Sequence, residues 1–89
     1  MYQAKVIVTL RRSILDVQGK TVHRSFESLG MSAVKEVRIG KYIELSLDSP
    51  TQAEAERVTD EACRKLLANP VMEDYALTVE QIQESSESP

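Results

Sequence analysis

The chain has 89 residues, 28% of them charged, and a formal net charge of −3. This length suits one domain, and the acidic balance argues against general nucleic-acid binding, which needs a basic surface. The single cysteine, Cys63, excludes an internal disulfide and is typical of a reducing compartment. No apolar run approaches the roughly 20 residues that span a bilayer. We therefore expect a small cytoplasmic protein without a membrane segment, and one that gains stability by association, because small domains bury little surface.

A strand and a helix open the predicted domain. Residues 2–10 alternate apolar and polar side chains with the period of a strand. Asp16 can cap a helix over residues 17–29, and Gly30 is suited to end it in the left-handed conformation. That helix carries one apolar stripe, formed by Val22, Phe26 and Leu29.

Residues 34–47 predict a hairpin of two short strands turning at Gly40-Lys41. Val37 and Ile39 would share one face of the first strand. In the second strand an apolar row alternates with Tyr42, Glu44 and Ser46. We expect Gly40 to supply the positive φ of a tight turn.

The segment Ser49-Pro50-Thr51-Gln52 has the capping-box and proline pattern of a helix start. The predicted helix ends at Asn69-Pro70, because proline disfavours the α conformation in the residue before it. Its predicted buried stripe is Ala55, Val58, Ala62 and Leu66, with Cys63 and Leu67 at the flank. Residues 75–80 form the last predicted strand, and residues 81–89 are expected to be a disordered tail.

The predicted order is therefore β-α-β-β-α-β, which favours an α+β, ferredoxin-like sandwich over residues 1–80. Right-handed crossovers would place two helices on one face of a four-stranded antiparallel sheet of order 4-1-3-2. The first and third strands would be central, and the second would lie at an edge.

Candidate chemistry is sparse. His23 is the only histidine and there is no cysteine pair, so the sequence offers no zinc ligand set. Cys63 lacks a clear cue for thiolate activation and is expected to pack beside the helix stripe. Glu73-Asp74 fits a solvated turn better than acid–base catalysis. Arg11 and Arg12, with Lys20 and Arg24 beyond them, are the one basic concentration and fit a solvated face.

Two classes of function are common for a small domain of this fold and are considered first. A regulatory module could hold a small metabolite at a dimer interface. A small acylphosphatase-like enzyme needs a phosphate-cradling loop after the first strand, and residues 11–15 contain no glycine. An RNA-recognition domain would need stacking aromatics where Ile7, Thr9 and Glu44 stand.

Several segments together resemble one family, the small PurS subunit of phosphoribosylformylglycinamidine (FGAM) synthase. They are Leu15-Asp16-Val17-Gln18-Gly19, Leu29-Gly30, the hairpin Val37-Arg38-Ile39-Gly40-Lys41-Tyr42-Ile43-Glu44-Leu45, and Leu66-Leu67-Ala68-Asn69-Pro70-Val71-Met72-Glu73-Asp74-Tyr75. The resemblance covers about residues 2–80. Val17 stands where the family usually has proline, and Met72 where isoleucine is common.

The resemblance implies a non-catalytic subunit of a purine-biosynthesis complex. A glutaminase (PurQ-type) subunit would release ammonia, and a synthetase (PurL-type) subunit would use ATP and magnesium to activate its substrate. The small subunit would bridge the two and assist ammonia transfer. It would act as a homodimer or tetramer, and the resemblance gives it no catalytic residue and no cofactor of its own.

Two segments are predicted to make oligomer or partner contacts. The first is the hairpin, with Arg38, Gly40, Lys41, Tyr42 and Glu44. The second joins the last helix to the last strand, because its sequence is more specific than a loop needs for packing alone. Its predicted contact residues are Asn69, Pro70, Glu73, Asp74 and Tyr75.

Overall fold

A computed structural model describes residues 1–82 of the chain. It is an α+β domain with an antiparallel sheet and two α-helices. The elements are β1 (Tyr2–Leu10), α1 (Val17–Ser28), β2 (Gly40–Leu47), α2 (Gln52–Ala62), a one-turn π-helix (Cys63–Leu67) and β3 (Glu73–Gln81). No helix among these residues is long and apolar enough to cross a membrane.

The sheet is centred on β1. Its order is β2-β1-β3, with both neighbours antiparallel, so that Val6 lies between Ile43 and Leu77. Alternate residues of β1 turn towards α2, and Ala4, Val6 and Val8 are almost completely buried. The period-two pattern that predicted this strand therefore marks the centre of the core.

The second helix lies over β1 and β3. Thr51 is its N-cap and accepts the Glu54 N–H at 3.1 Å, so the helix begins two residues later than the Ser49 capping pattern predicted. Ala55, Thr59 and Cys63 are fully buried. The predicted stripe was mostly wrong: Ala55 is buried as expected, but Ala62 is half-buried, and Val58 and Leu66 are 37% and 80% exposed.

The helix closes in a π-turn, in which the Ala68 N–H donates to the carbonyl of Cys63 at 3.0 Å. Ion pairs one turn apart lie on its surface, with Asp60–Arg64 at 2.9 Å and Glu61–Lys65 at 2.7 Å. The wider turn carries Leu67 against the core, where it packs beside Cys63 and Ala68.

The predicted hairpin is wrong. Within the described residues the sheet has three strands, and residues 34–39 are extended without pairing to any of them. Their polar groups are bound by α1 instead: Ile39 N–H donates to the Asp16 carboxylate at 2.8 Å, and His23 Nε2 lies 2.9 Å from the Val34 carbonyl oxygen. Without a fourth strand, β2 is an edge strand rather than the central strand that we expected.

Gly40 is the first residue of β2, and its φ is not positive. A Cβ there would lie 2.5 Å from the Val8 carbonyl oxygen, so glycine is needed for close approach to β1 rather than for a turn. The prediction for Gly30 is confirmed, since it ends α1 with a φ of +80°.

The two helices do not share the sheet as predicted. Only α2 packs against the strands, whereas α1 packs against the extended segment that follows it. We call α1 and that segment, residues 17–39, the arm. The N-cap of α1 is the predicted residue, Asp16, which accepts the Gly19 N–H at 2.8 Å.

The last strand begins at Glu73 and continues through Gln81, beyond the predicted range 75–80. The Ile82 N–H then donates to the Met1 carbonyl at 2.9 Å. Residues 81 and 82 thus continue the sheet edge, while the remainder of the predicted tail, residues 83–89, lies outside the described residues.

Candidate functional site

The two predicted contact segments meet at the carboxyl end of β1. Thr9 pairs with Gly40 on one side and with Asp74 on the other. Leu10 follows and pairs with Glu73. A cleft of about 210 Å³ at this end is lined by residues from both segments, including Gly40, Lys41 and Glu73. We call this region the β1-end surface: residues 38–41, Arg11 and residues 69–74.

On the β2 side, Arg38 fixes the chain as it enters the strand. Its guanidinium donates to the Leu10 carbonyl, which is the last carbonyl of β1. Arg38 is half-buried and Lys41 is exposed. The sequence placed both residues on one contact surface, but their roles differ: Arg38 positions the segment, whereas Lys41 makes no ion pair within residues 1–82.

Tyr42 and Glu44 lie on the sheet face that α2 does not cover. The Tyr42 hydroxyl donates to Glu44 at 2.8 Å, and this bond to a carboxylate raises the pKa of Tyr42. Tyr42 is 56% exposed and stands beside Ile7, which is 53% exposed; Ala76 is the next residue in the same row. These side chains form an apolar row across the open face, away from the β1-end surface.

On the β3 side, Asn69 organises a tight turn. Its Oδ1 accepts the Val71 and Met72 N–H groups at 2.9 and 3.1 Å. The Asn69 N–H in turn donates to the Glu73 carboxylate at 2.7 Å. The specific sequence of this turn is therefore explained by its internal hydrogen bonds.

Arg11 ties this turn to the end of β1. Its guanidinium donates to the Pro70 carbonyl at 2.7 Å and lies 3.4 Å from the Asp74 carboxylate. The sequence had assigned Arg11 only to a basic, solvated cluster. The signal that it belongs to this surface is its position, directly after a central strand.

Tyr75 points the other way, towards α2. Its hydroxyl donates to Asp60 at 2.5 Å, and Asp60 also accepts from Arg64 at 2.9 Å. The first bond is the main cause of a raised pKa for Tyr75 and a lowered pKa for Asp60, and Arg64 lowers the latter further. Tyr75 therefore joins β3 to the end of α2.

The outward-facing part of this turn is apolar. Val71 is 73% exposed and Met72 is 41% exposed. The sequence did not select either residue as a contact. Exposed apolar side chains on a rigid turn, bordered by Asp74 and Lys41, are a suitable surface for another protein.

A second cleft lies within the arm and is larger, about 520 Å³. It opens between the start of α1 and residues 35–38. Most of its charged lining residues are basic: Arg12, Lys20, Lys35 and Arg38, against Asp16 and Glu36. Arg12 and Glu36 lie 3.6 Å apart, so part of this charge is neutralised within the chain.

Neither region has a catalytic constellation. Residues 1–82 contain no group of three or more side chains that could hold a metal ion. Cys63 is buried, and burial raises the pKa of its thiol, the opposite of what a nucleophile needs. His23 is half-buried at the helix flank, as expected, and its Nε2 hydrogen-bonds to the Val34 carbonyl.

Comparison with known proteins gives one consistent family. The sequence model of the PurS family, described as phosphoribosylformylglycinamidine (FGAM) synthase, matches residues 3–81. The FGAM synthase subunit PurS of Synechocystis is 45% identical over 78 residues, covering 88% of this chain and 78% of that protein.

Solved structures agree. The crystal structure of PurS from Methanocaldococcus jannaschii, one of the subunits of formylglycinamide ribonucleotide amidotransferase, matches with a TM-score of 0.85 and 38% identity, covering 93% of this chain and all of that one. A chain of the PurLQS structure from Thermotoga maritima matches with a TM-score of 0.80 and 30% identity, covering 90% of this chain and 99% of that one. The match spans the whole described domain at identities well above those that show a fold alone, so this chain belongs to the PurS family.

Proposed function

We propose that this protein is the small, non-catalytic subunit of an FGAM synthase complex in purine biosynthesis. The observation that carries the proposal is the match to a chain of PurLQS over 90% of this sequence. The described residues are consistent with it, because they include an exposed apolar turn that is held by its own hydrogen bonds.

In this proposal the chemistry lies on two other subunits. A PurQ-type glutaminase releases ammonia from glutamine. A PurL-type synthetase uses ATP and magnesium to activate the amide of formylglycinamide ribonucleotide, and ammonia then forms FGAM. The small subunit holds no cofactor; it bridges the other two in the cytoplasm, as a homodimer or tetramer, and assists ammonia transfer between them.

The β1-end surface is our proposed contact with a partner subunit. Its turn is held rigid by Asn69 and Arg11, so that little side-chain freedom is lost when a partner binds. Exposed Val71 and Met72 supply apolar area, and Lys41 supplies a charge at the rim. Arg38, Gly40 and Asn69 act indirectly, by fixing the backbone of this surface.

Reconstitution tests the function. The purified PurL-type and PurQ-type subunits are assayed with and without this protein, using either glutamine or ammonium as the nitrogen source. We expect glutamine-dependent FGAM formation to require this protein and ammonium-dependent formation to require it much less. Equal glutamine-dependent rates with and without the protein would contradict the proposal.

A pair of substitutions tests the surface. Val71→Asp introduces a charge at the exposed turn and should weaken complex formation by light scattering, with little change in the stability of the isolated protein. Thr78→Asp is the matched control, on an exposed position of the open sheet face. If the two variants assemble equally well, the β1-end surface is not the contact.

A further inference from the structure

The start of α1 and the segment that follows the helix enclose a cleft of about 520 Å³. Its walls are fixed to each other, because the Asp16 carboxylate accepts the N–H groups of both Gly19 and Ile39, each at 2.8 Å. Arg38 holds the same segment to β1 by donating to the Leu10 carbonyl. A cleft of this volume between fixed walls lies in the range of sites that bind small molecules, about 300–1,000 Å³.

The charges in this cleft are unequal. Four basic side chains line it, against two carboxylates. Both carboxylates already have partners within the chain: Asp16 accepts two backbone N–H groups, and Glu36 lies 3.6 Å from Arg12. Lys20 and Lys35 lie on opposite walls, and neither forms an ion pair within residues 1–82. The cleft therefore presents positive charge that the described part of the chain does not neutralise.

The rest of the lining suits an organic group attached to an anion. Ile14 and Val37 are half-buried, and Leu15 is 62% exposed beside the charged residues. Ser13 adds a hydroxyl group. Small-molecule sites combine apolar walls with a few polar groups in this way. Positive charge and apolar surface thus occur together in one concave site.

We propose that this cleft binds a small phosphate monoester, such as a nucleoside monophosphate, with its phosphate group between Lys20 and Lys35. A phosphate monoester carries about two negative charges near neutral pH, which matches the excess of basic side chains. Its terminal oxygens can accept from several donors at once, and the guanidinium of Arg38 has N–H groups beyond the one that bonds to Leu10. The sugar or base would then lie against the apolar wall.

The shape of the site favours a small ligand over an acidic protein segment. The basic side chains surround a cleft, whereas an extended segment would pass along basic side chains arranged in a row on an open surface. The site goes beyond the proposed function, which gives the small subunit no ligand of its own, and its whole lining comes from one chain.

Binding in this cleft would stabilise the arm. The ligand would contact α1 through Lys20 and the extended segment through Lys35, and would so connect two parts that few bonds hold together. A ligand that binds only the closed arrangement lowers the population of the open one. Amide exchange at Gly19 and Ile39 should therefore slow when the ligand is present.

Titration of the full-length chain with AMP, followed by amide NMR, tests the site. We expect saturable shifts in residues 12–20 and 35–38 and none in β3, with an affinity that falls as salt is added. Adenosine, which lacks the phosphate, should not bind, and inorganic phosphate should bind more weakly than AMP. The proposal is overturned if AMP gives no saturable shift, or if either adenosine or inorganic phosphate binds as tightly as AMP.

Substitutions assign the bound AMP to this cleft. Lys20→Gln and Lys35→Gln should each raise its dissociation constant about tenfold or more, because each removes a charge-assisted hydrogen bond. Both side chains are exposed, so the fold should not change. Arg24→Gln is the matched control, since it removes an exposed positive charge from the same helix but outside the cleft. Equal constants for Lys20→Gln and Arg24→Gln would place the bound AMP elsewhere and contradict the proposal.

A short polyglutamate peptide gives the last comparison, and we expect it to bind more weakly than AMP. If it shifted the same amides and bound more tightly, the cleft would be a docking site for an acidic protein segment, and the phosphate proposal would be wrong. None of these measurements uses the partner subunits, so they test the ligand separately from the proposed function.

Discussion

The sheet and α2 form one region of the molecule and the arm forms another, and different interactions stabilise the two. In the sheet, Ala4, Val6 and Val8 are buried almost completely against α2. In the arm, the only buried residue is Gly19. The Asp16 carboxylate accepts the N–H groups of Gly19 and Ile39, and His23 Nε2 bonds to the Val34 carbonyl. One region is stabilised by apolar burial and the other by a few polar bonds.

This difference predicts unequal stability within one small domain. Regions with few buried apolar contacts open at lower free energy than the core. The arm should therefore exchange its amide protons faster than the sheet in the monomer. The sheet and α2 contain their own core, whereas no apolar side chain of residues 17–39 is fully buried within this chain.

The largest effect should come from the core. Val6→Ala removes two methyl groups at a site with no exposure, at the centre of the sheet. We expect the free energy of unfolding to fall by about 2–3 kcal/mol, from lost transfer energy and the cavity that remains. Urea unfolding followed by circular dichroism at low protein concentration measures this change.

The matched substitution in the arm is Val22→Ala. The same two methyl groups are removed from a half-buried site, so the monomer should lose less than about 1 kcal/mol. Equal losses of stability for the two valine variants would show that the arm has a core of its own. The two regions would then not differ in how they are stabilised.

The next largest loss of stability should come from Gly19, where α1 meets the segment that follows it. Gly19→Ala places a Cβ 2.3 Å from the Val37 carbonyl oxygen, a distance that no real contact sustains, so α1 must move away from the extended segment. The cost should be about 1–2 kcal/mol, confined to the arm. Hydrogen exchange should show faster exchange at Ile39 and unchanged exchange in β1. Ser25→Ala, exposed on the same helix, should change neither.

The sequence predicted most of the core and misjudged the arm, for a physical reason. Alternation in residues 2–10 is a local periodicity, and the burial of Ala4, Val6 and Val8 against α2 requires it. Residues 34–39 alternate equally well, but alternation does not decide whether a strand finds a partner. Here the side chain of Asp16 supplies the bond to Ile39 that a neighbouring strand would otherwise make. A carboxylate 23 residues away is not visible in a local pattern.

The candidate site shows the same limit. The family resemblance selected both segments that meet at the β1-end surface, but not the residues that hold them. Asn69 has a turn signature that sequence reasoning can detect. The bond from Arg11 to the Pro70 carbonyl joins residues 59 positions apart and depends on β1 and β3 being neighbours. Tyr75 was selected for contact because of its motif, and its hydrogen bond to Asp60 could not be predicted from that motif.

The smallest predicted effect is a pH dependence confined to the arm. Hydrogen bonds from the Ile39 and Gly19 N–H groups hold the pKa of Asp16 below its ordinary value of 3.8. Because the folded pKa is the lower one, ionised Asp16 stabilises the arm above the unfolded pKa, and this contribution is lost as pH falls through the folded pKa. The Ile39 and Gly19 amide resonances should therefore shift together below about pH 4, while those of β1 stay in place. Asp16→Asn keeps a capping oxygen but does not titrate, so the shift should disappear in that variant. If the shift persists in Asp16→Asn, another carboxyl controls the arm, and Glu36, which pairs with Arg12 beside it, is the next to replace.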